Sequence, residues 1–199
     1  MPTGRVGSSW SVVTAGRVVE VVVCGAGTAP DVHRLVELAQ ARDWVVRVIA
    51  TPSAVAFLDL AKLEAMAGRP VLSEHRRPGE SRARSLPEPD AVVVAPATFN
   101  MVCKLAAGIS DTYALSAVAE AIGRGIPVAV LPFVNTALAG RKPFVAAVES
   151  LRSEGVRVLF GPGEWEPHPP GTGGDGIVSF PWAAALDAAG VSAVAGGVG

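Results

Sequence analysis

The residues best placed to do chemistry lie in Pro96-Ala97-Thr98-Phe99-Asn100-Met101, where a hydroxyl and a carboxamide stand two residues apart. They follow the apolar run 91–95 and open a helical stretch of about 98–107. Small polar groups at the carboxyl end of a parallel strand face the crevice in which open α/β sheets bind ligands. A helix starting there adds unpaired N–H groups and a partial positive charge. Thr98 and Asn100 are therefore candidate ligand-binding residues, although Asn is also common in a first helical turn with no further task.

Two other strand ends have the same character. The β-branched run 18–23 exits into Gly25-Ala26-Gly27-Thr28, in which glycines admit a close ligand and the Thr hydroxyl can donate to a phosphate oxygen. The run 45–50 exits into Thr51-Pro52-Ser53. The glycine loop lacks the third glycine of a dinucleotide fingerprint and the Gly-Lys of a P-loop, and no acidic residue ends the second strand. A mononucleotide phosphate held by Thr28 and Ser53 fits better than a dinucleotide or ATP, and a purely structural turn is the alternative.

These loops need a scaffold, and the sequence supplies one by alternation. Strands are expected at 18–23, 45–50, 91–95, 127–131 and 156–160. Helices are expected after Pro30 and at 54–67, about 98–107, about 111–124, 142–153 and 180–189. Continuous apolar strands alternating with amphipathic helices imply a parallel sheet covered on both faces, an α/β single domain. The polar, proline-broken stretch 73–89 reads as a surface excursion carrying His75, Arg76, Arg77, Arg82 and Arg84. The Gly/Pro-rich stretch 161–179 reads as a flap, 1–17 as a flexible leader and 191–199 as a flexible tail.

Composition narrows the function classes. With 199 residues, half of them hydrophobic, the chain can bury a core without metal or disulfide staples. A net charge of −1 with no basic run argues against a nucleic-acid partner. No apolar run is long enough to cross a bilayer, and 1–16 lacks a signal-peptide core, so a cytoplasmic protein is expected. Cys24 and Cys103 read as reduced, small hydrophobes, and no cluster has metal-ligand spacing, so no metal is expected.

The chain resembles the homo-oligomeric flavin-containing cysteine decarboxylases. Their first motif, Pro-Ala-Ser-Ala-Asn-Thr followed by Lys and Gly-Ile-x-Asp, is matched by Pro96 to Met101, Lys104 and Gly108-Ile109-Ser110-Asp111. Thr51-Pro52-Ser53-Ala54 with Phe57 matches the second strand exit, and the order of elements agrees over about 18–160. The resemblance implies a flavodoxin-like, Rossmann-like fold that binds FMN through Gly25, Gly27, Thr28, Ser53, Ala97, Thr98 and Asn100. It further implies homo-oligomers built from trimers, including dodecamers, with active sites between subunits.

The departures bear on the reaction. The family's second motif, Pro-x-Met-Asn-x-x-Met-Trp, stands here as Pro132-Phe133-Val134-Asn135-Thr136-Ala137-Leu138-Ala139, keeping Pro and Asn alone. Asn135 inherits the implied role of binding a substrate carboxylate or amide. Arg82 occupies the place of the family's catalytic His, fourteen residues before Pro96, and the flap lacks the usual cysteine. His75 is the candidate substitute base, and Arg82 the candidate carboxylate ligand, with solvated surface the alternative for both. Loss of the Met and Trp positions favours the peptidyl-cysteine branch, that of cypemycin decarboxylase, with the C-terminal cysteine of a peptide as substrate. A phosphopantothenoylcysteine decarboxylase and a non-catalytic FMN-binding or regulatory protein are the alternatives. A flavin prenyltransferase fits less well, because 132–138 holds no Arg-Glu segment.

Overall fold

In the computed structural model, residues 16–75 and 87–192 are described. The first strand, β1 (Val18–Val23), is buried at every position, as expected of a strand covered on both faces. Beyond the glycine loop the chain makes a 3-10 turn at Ala29–Val32, with Pro30 in its first turn, and continues as α1 (His33–Gln40). Next come β2 (Val45–Ala50) and α2 (Leu60–Ala67). The third strand, β3 (Ala91–Ala97), leads into α3 (Phe99–Ala106) and α4 (Tyr113–Gly123). The chain continues through β4 (Val128–Pro132), the single turn α5 (Thr136–Ala139), α6 (Lys142–Ser153) and β5 (Arg157–Val158). It closes with α7 (Gly173–Val178) and α8 (Trp182–Ala188).

All strand pairs are parallel, in the order β2-β1-β3-β4-β5. The winding direction reverses between β1 and β3, so the switch-point crevice opens between the carboxyl ends of those two strands. Gly25 and Thr98 stand on its two sides. One sheet face is packed by α1, α2 and α8 with Trp44, Phe133, Phe180 and Trp182, and the other by α3, α4 and α6 around Phe144. The expected α/β fold with helices on both faces is what the chain adopts.

Several boundaries differ from the sequence expectation. The helix expected over 54–67 is broken at Leu58, which is extended with φ −104° and ψ 139°. Asp59 then starts a new helix, its Oδ1 accepting the Lys62 N–H at 3.0 Å. The strand expected at 156–160 keeps two paired residues, and the Arg152 guanidinium takes the carbonyls of Val158 and Phe160 at 2.8 and 2.7 Å. Val191, where the tail was expected to begin, is fully buried, and the Trp44 indole N–H donates to the Ser192 carbonyl at 2.8 Å.

Glu20 is a charged residue inside this core, and its register partner on β2 is Arg47. The Arg47 Nε donates to Glu20 Oε2 at 2.5 Å. Burial pushes the Glu20 carboxyl above its ordinary range, and the Arg47 charge and hydrogen bond pull it back.

Candidate functional site

At the switch point, three polar loops converge. Gly25 lies against the Ser53 turn so closely that a Cβ there would be 2.8 Å from the Ser53 carbonyl oxygen. Close backbone approach is the reason for glycine at this position. Gly27 faces the Phe133 ring, with a built Cβ 3.2 Å from Cε1. Thr28 is fully buried, and its Oγ1 has no protein hydrogen-bond partner. A buried hydroxyl left this way costs about 1–3 kcal/mol unless a ligand or water satisfies it.

A cleft of about 200 Å³ opens beside these loops, lined by Thr51, Ser53, Thr98, Asn100, Lys104 and Thr112 among others. Thr98 caps α3 by accepting the Met101 N–H at 3.2 Å. The first N–H groups of α3 open on the same side. Thr51 and Ser53 hydroxyls are 3.2 Å apart. Lys104 brings positive charge to the wall and is held by Asp111 at 2.5 Å. Thr112 had gone unnoticed in the sequence, where its only sign was an N-cap position before an apolar helix; it accepts the Leu115 N–H at 3.2 Å.

Of the expected cofactor-binding residues, Ser53, Thr98 and Asn100 share this cleft, while Gly25, Gly27 and Thr28 form its neighbouring loop without lining it. Ala97 is fully buried, and its carbonyl accepts the Phe133 N–H at 2.8 Å. Cys24 is buried at the end of β1, and burial pushes its thiol up to about 11, although the Thr98 N–H and hydroxyl beside the sulfur pull the other way. The thiol stays protonated at neutral pH, and Cys24 is no nucleophile. Cys103 is also pushed up, by partial burial.

Asn135 and His75 do not line this cleft. Asn135 caps α5, its Oδ1 accepting the Leu138 N–H at 3.0 Å, which leaves the amide NH₂ free to donate. His75 stands in a separate, larger cleft of about 290 Å³ along α4, with Glu20, Arg47 and Glu120. Its Nε2 is 3.5 Å from Ser116 Oγ, and its ring meets Tyr113 edge-on. Arg82 lies outside the described residues. The two clefts share the start of α4: Thr112 and Leu115 face one, Tyr113 and Ser116 the other. Among the described residues no group of His, Cys, Asp and Glu could hold a metal ion, and no helix is long and apolar enough to cross a membrane.

The stretch 161–179 packs onto this region through rings. His168 and Asn135 form a parallel bridge, with the Thr136 N–H donating to the His168 carbonyl at 2.8 Å. The His168 ring lies 4.7 Å from that of Phe133, and the Trp165 and Phe133 rings both meet Phe180 edge-on. Sequence periodicity carries no trace of this arrangement, because the segment is organised by aromatic contacts and by glycines that let α7 sit on Phe133.

Comparison with known proteins adds three findings. The family described as Flavoprotein matches residues 11–173. The chain is 30% identical over 152 residues to the coenzyme A biosynthesis bifunctional protein CoaBC of Escherichia coli K12, a match over 74% of this chain and 36% of that one. It thus spans about a third of the length of that curated relative. Among solved structures, the FMN-dependent cysteine decarboxylase TvaF from thioviridamide biosynthesis is similar with a TM-score of 0.64 and 26% identity, over 87% of this chain and 98% of that one. The FMN-dependent cysteine decarboxylase SpaF shares the fold, with a TM-score of 0.60 and 24% identity, over 78% of this chain and 87% of that one.

Proposed function

We propose that this chain, which belongs to the Flavoprotein family, is an FMN-dependent oxidative decarboxylase. Its substrate is the C-terminal cysteine of a peptide and its product an aminoenethiol, formed in peptide natural-product biosynthesis. The observation that carries this reading is the switch-point cleft walled by Ser53, Thr98 and Asn100 beside a glycine loop whose buried Thr28 hydroxyl has no protein partner. Similarity to TvaF along nearly the whole of that chain supports it.

The residues present fit FMN. Hydroxyls, a carboxamide and helix N–H groups suit phosphate and ring heteroatoms, and Gly25 lets the first loop close against the Ser53 turn so that the polar loops converge. Ser53, Thr98 and Asn100, with the loop of Gly25, Gly27 and Thr28, would hold it. When bound, FMN supplies the two-electron oxidation of the cysteine thiol on which loss of carbon dioxide depends. The chain's own residues do the positioning. Asn135, with Oδ1 tied to the cap of α5, turns its NH₂ to the substrate's carboxylate or amide. Cys24, protonated and buried, stays out of the reaction. Half-exposed Phe57, Ile109 and Val145 favour a homo-oligomer, in line with the trimers of the resembled family.

A second reading, phosphopantothenoylcysteine decarboxylase, is favoured by the similarity to the coenzyme A protein of Escherichia coli. Mass spectrometry of the FMN-loaded protein incubated with a Cys-terminated peptide or with phosphopantothenoylcysteine separates the two. The peptide is expected to lose the mass of formic acid and the smaller compound to stay intact. The reverse outcome overturns the peptide reading.

A further inference from the structure

The larger cleft, about 290 Å³ along α4, shares no lining residue with the one beside Thr98 and Asn100. At its floor is Glu20, in the middle of β1, with a side chain only 4% exposed. Both contacts from the Arg47 guanidinium fall on a single oxygen, Oε2. Arg47 is the one side chain that hydrogen-bonds this carboxylate among the described residues, so Oε1 is left without a protein donor. Replacing a buried ion pair by well-packed apolar residues is often neutral or stabilising. Packing alone therefore does not account for a charged pair at the bottom of a cleft.

The charges above the floor do not balance it. Arg124 is divided between two carboxylates, its Nη2 meeting Glu88 and its Nη1 meeting Glu120 at 3.1 Å. The cleft thus holds three carboxylates, Glu20, Glu88 and Glu120, against two guanidinium groups that are both already engaged. Burial raises the Glu20 carboxyl above its ordinary range and the Glu120 charge adds to that rise, so these two carboxylates repel one another. A cation near both would relieve the repulsion and give Oε1 a donor. Among the described residues no group of His, Cys, Asp and Glu could hold a metal ion, which leaves an organic cation. The volume is close to the lower end for small-molecule sites, enough for a short carbon chain beside its head group. Ala117 and Ile126 line the same cleft and give such a chain an apolar wall.

We propose that this cleft binds an alkylammonium group, with its N–H donors on Glu20 Oε1 and the Glu120 carboxylate and its methylene stem against Ala117 and Ile126. An ammonium carries three donors and no acceptor, which matches a seat whose surplus is carboxylate oxygen. A lysine side chain of the peptide substrate and a free short-chain amine present the same group. The site stands whether or not the decarboxylase reading does.

The test is calorimetric titration of the FMN-loaded protein with butylamine, and with butan-1-ol as its uncharged counterpart. The amine is expected to bind with a Kd of about 1 mM or below, roughly tenfold or more tighter than the alcohol. Glu120 is exposed, so Glu120→Gln should fold normally, weaken the amine by about two- to fivefold and leave the alcohol unchanged. Ala117→Phe fills the cleft and should abolish amine binding while FMN is retained. Equal affinity for amine and alcohol, no measurable binding of the amine, or an amine affinity that Glu120→Gln leaves unchanged overturns the proposal. Full amine binding by Ala117→Phe does the same. Cys-terminated peptides with one lysine at successive upstream positions, each compared with its norleucine counterpart, then identify the source. A lysine-dependent gain lost in Ala117→Phe upholds the seat as part of substrate binding, and no gain while butylamine binds upholds it as a site for a free amine.

Discussion

Replacing Gly25 by alanine probes the contact that joins the first two ligand loops. The new Cβ would sit 2.8 Å from the Ser53 carbonyl oxygen, 3.0 Å from its carbonyl carbon and 3.3 Å from Phe57 Cε2. Ordinary contact begins near 3.4 Å, about 0.6 Å further out. The obstacle is backbone, so no rotamer change relieves it and the Ser53 turn itself must retreat. Overpacking of this kind costs about 1–3 kcal/mol in stability. The Ser53 hydroxyl moves with its turn, and loss of one good hydrogen bond to a charged ligand weakens binding by roughly ten- to a hundredfold. Gly27→Ala meets only the Cε1 edge of Phe133 at 3.2 Å, which a ring tilt can relieve. FMN titration of the apoprotein followed by flavin fluorescence, with urea unfolding alongside, should rank Gly25→Ala far below Gly27→Ala on both scales. Equal effects, or wild-type FMN affinity for Gly25→Ala, would refute the argument.

Arg47→Met leaves the Glu20 carboxylate buried alone and should cost about 3–5 kcal/mol at pH 8. The folded-state carboxyl already lies above its ordinary range, so its ionised form is the costly one; without Arg47 it rises further. The deficit should therefore shrink as pH falls from 8 toward 5 and grow as pH rises, and urea midpoints that differ by the same amount at both pH values would contradict this. Cys24, with its thiol up at about 11, should resist iodoacetamide in the folded protein at pH 8 and react only on unfolding; rapid native-state alkylation in peptide maps would place it elsewhere. Asn135→Ala removes the α5 cap, worth about 1 kcal/mol, and should lower turnover of a Cys-terminated peptide while leaving bound FMN unchanged. Unaltered turnover would remove Asn135 from the site.

The sheet was readable in the sequence because parallel strands covered on both faces become unbroken apolar runs, as in 18–23 and 91–95. The polar exits at Gly25, Thr51 and Thr98 were readable for the same reason, since they interrupt those runs. The break at Leu58 was not, because 54–67 holds no Gly or Pro and Asp59 looks like any polar position of an amphipathic helix. The stretch 161–179 was opaque because Trp165, His168, Gly173 and Gly176 acquire meaning only once β4 places Phe133 among them. His75 illustrates the converse limit: its place in the polar excursion that also carries Arg82 says nothing of which cleft it lines, and the fold sets it across the start of α4 from Thr98 and Asn100.

The central claim is tested most directly by anaerobic mixing of the FMN-loaded protein with a short peptide ending in free cysteine, recording flavin absorbance and the peptide's mass together. Bleaching of the flavin in step with loss of carbon dioxide and two hydrogens from the peptide is the predicted result. A flavin that stays oxidised while every such peptide keeps its mass would contradict it.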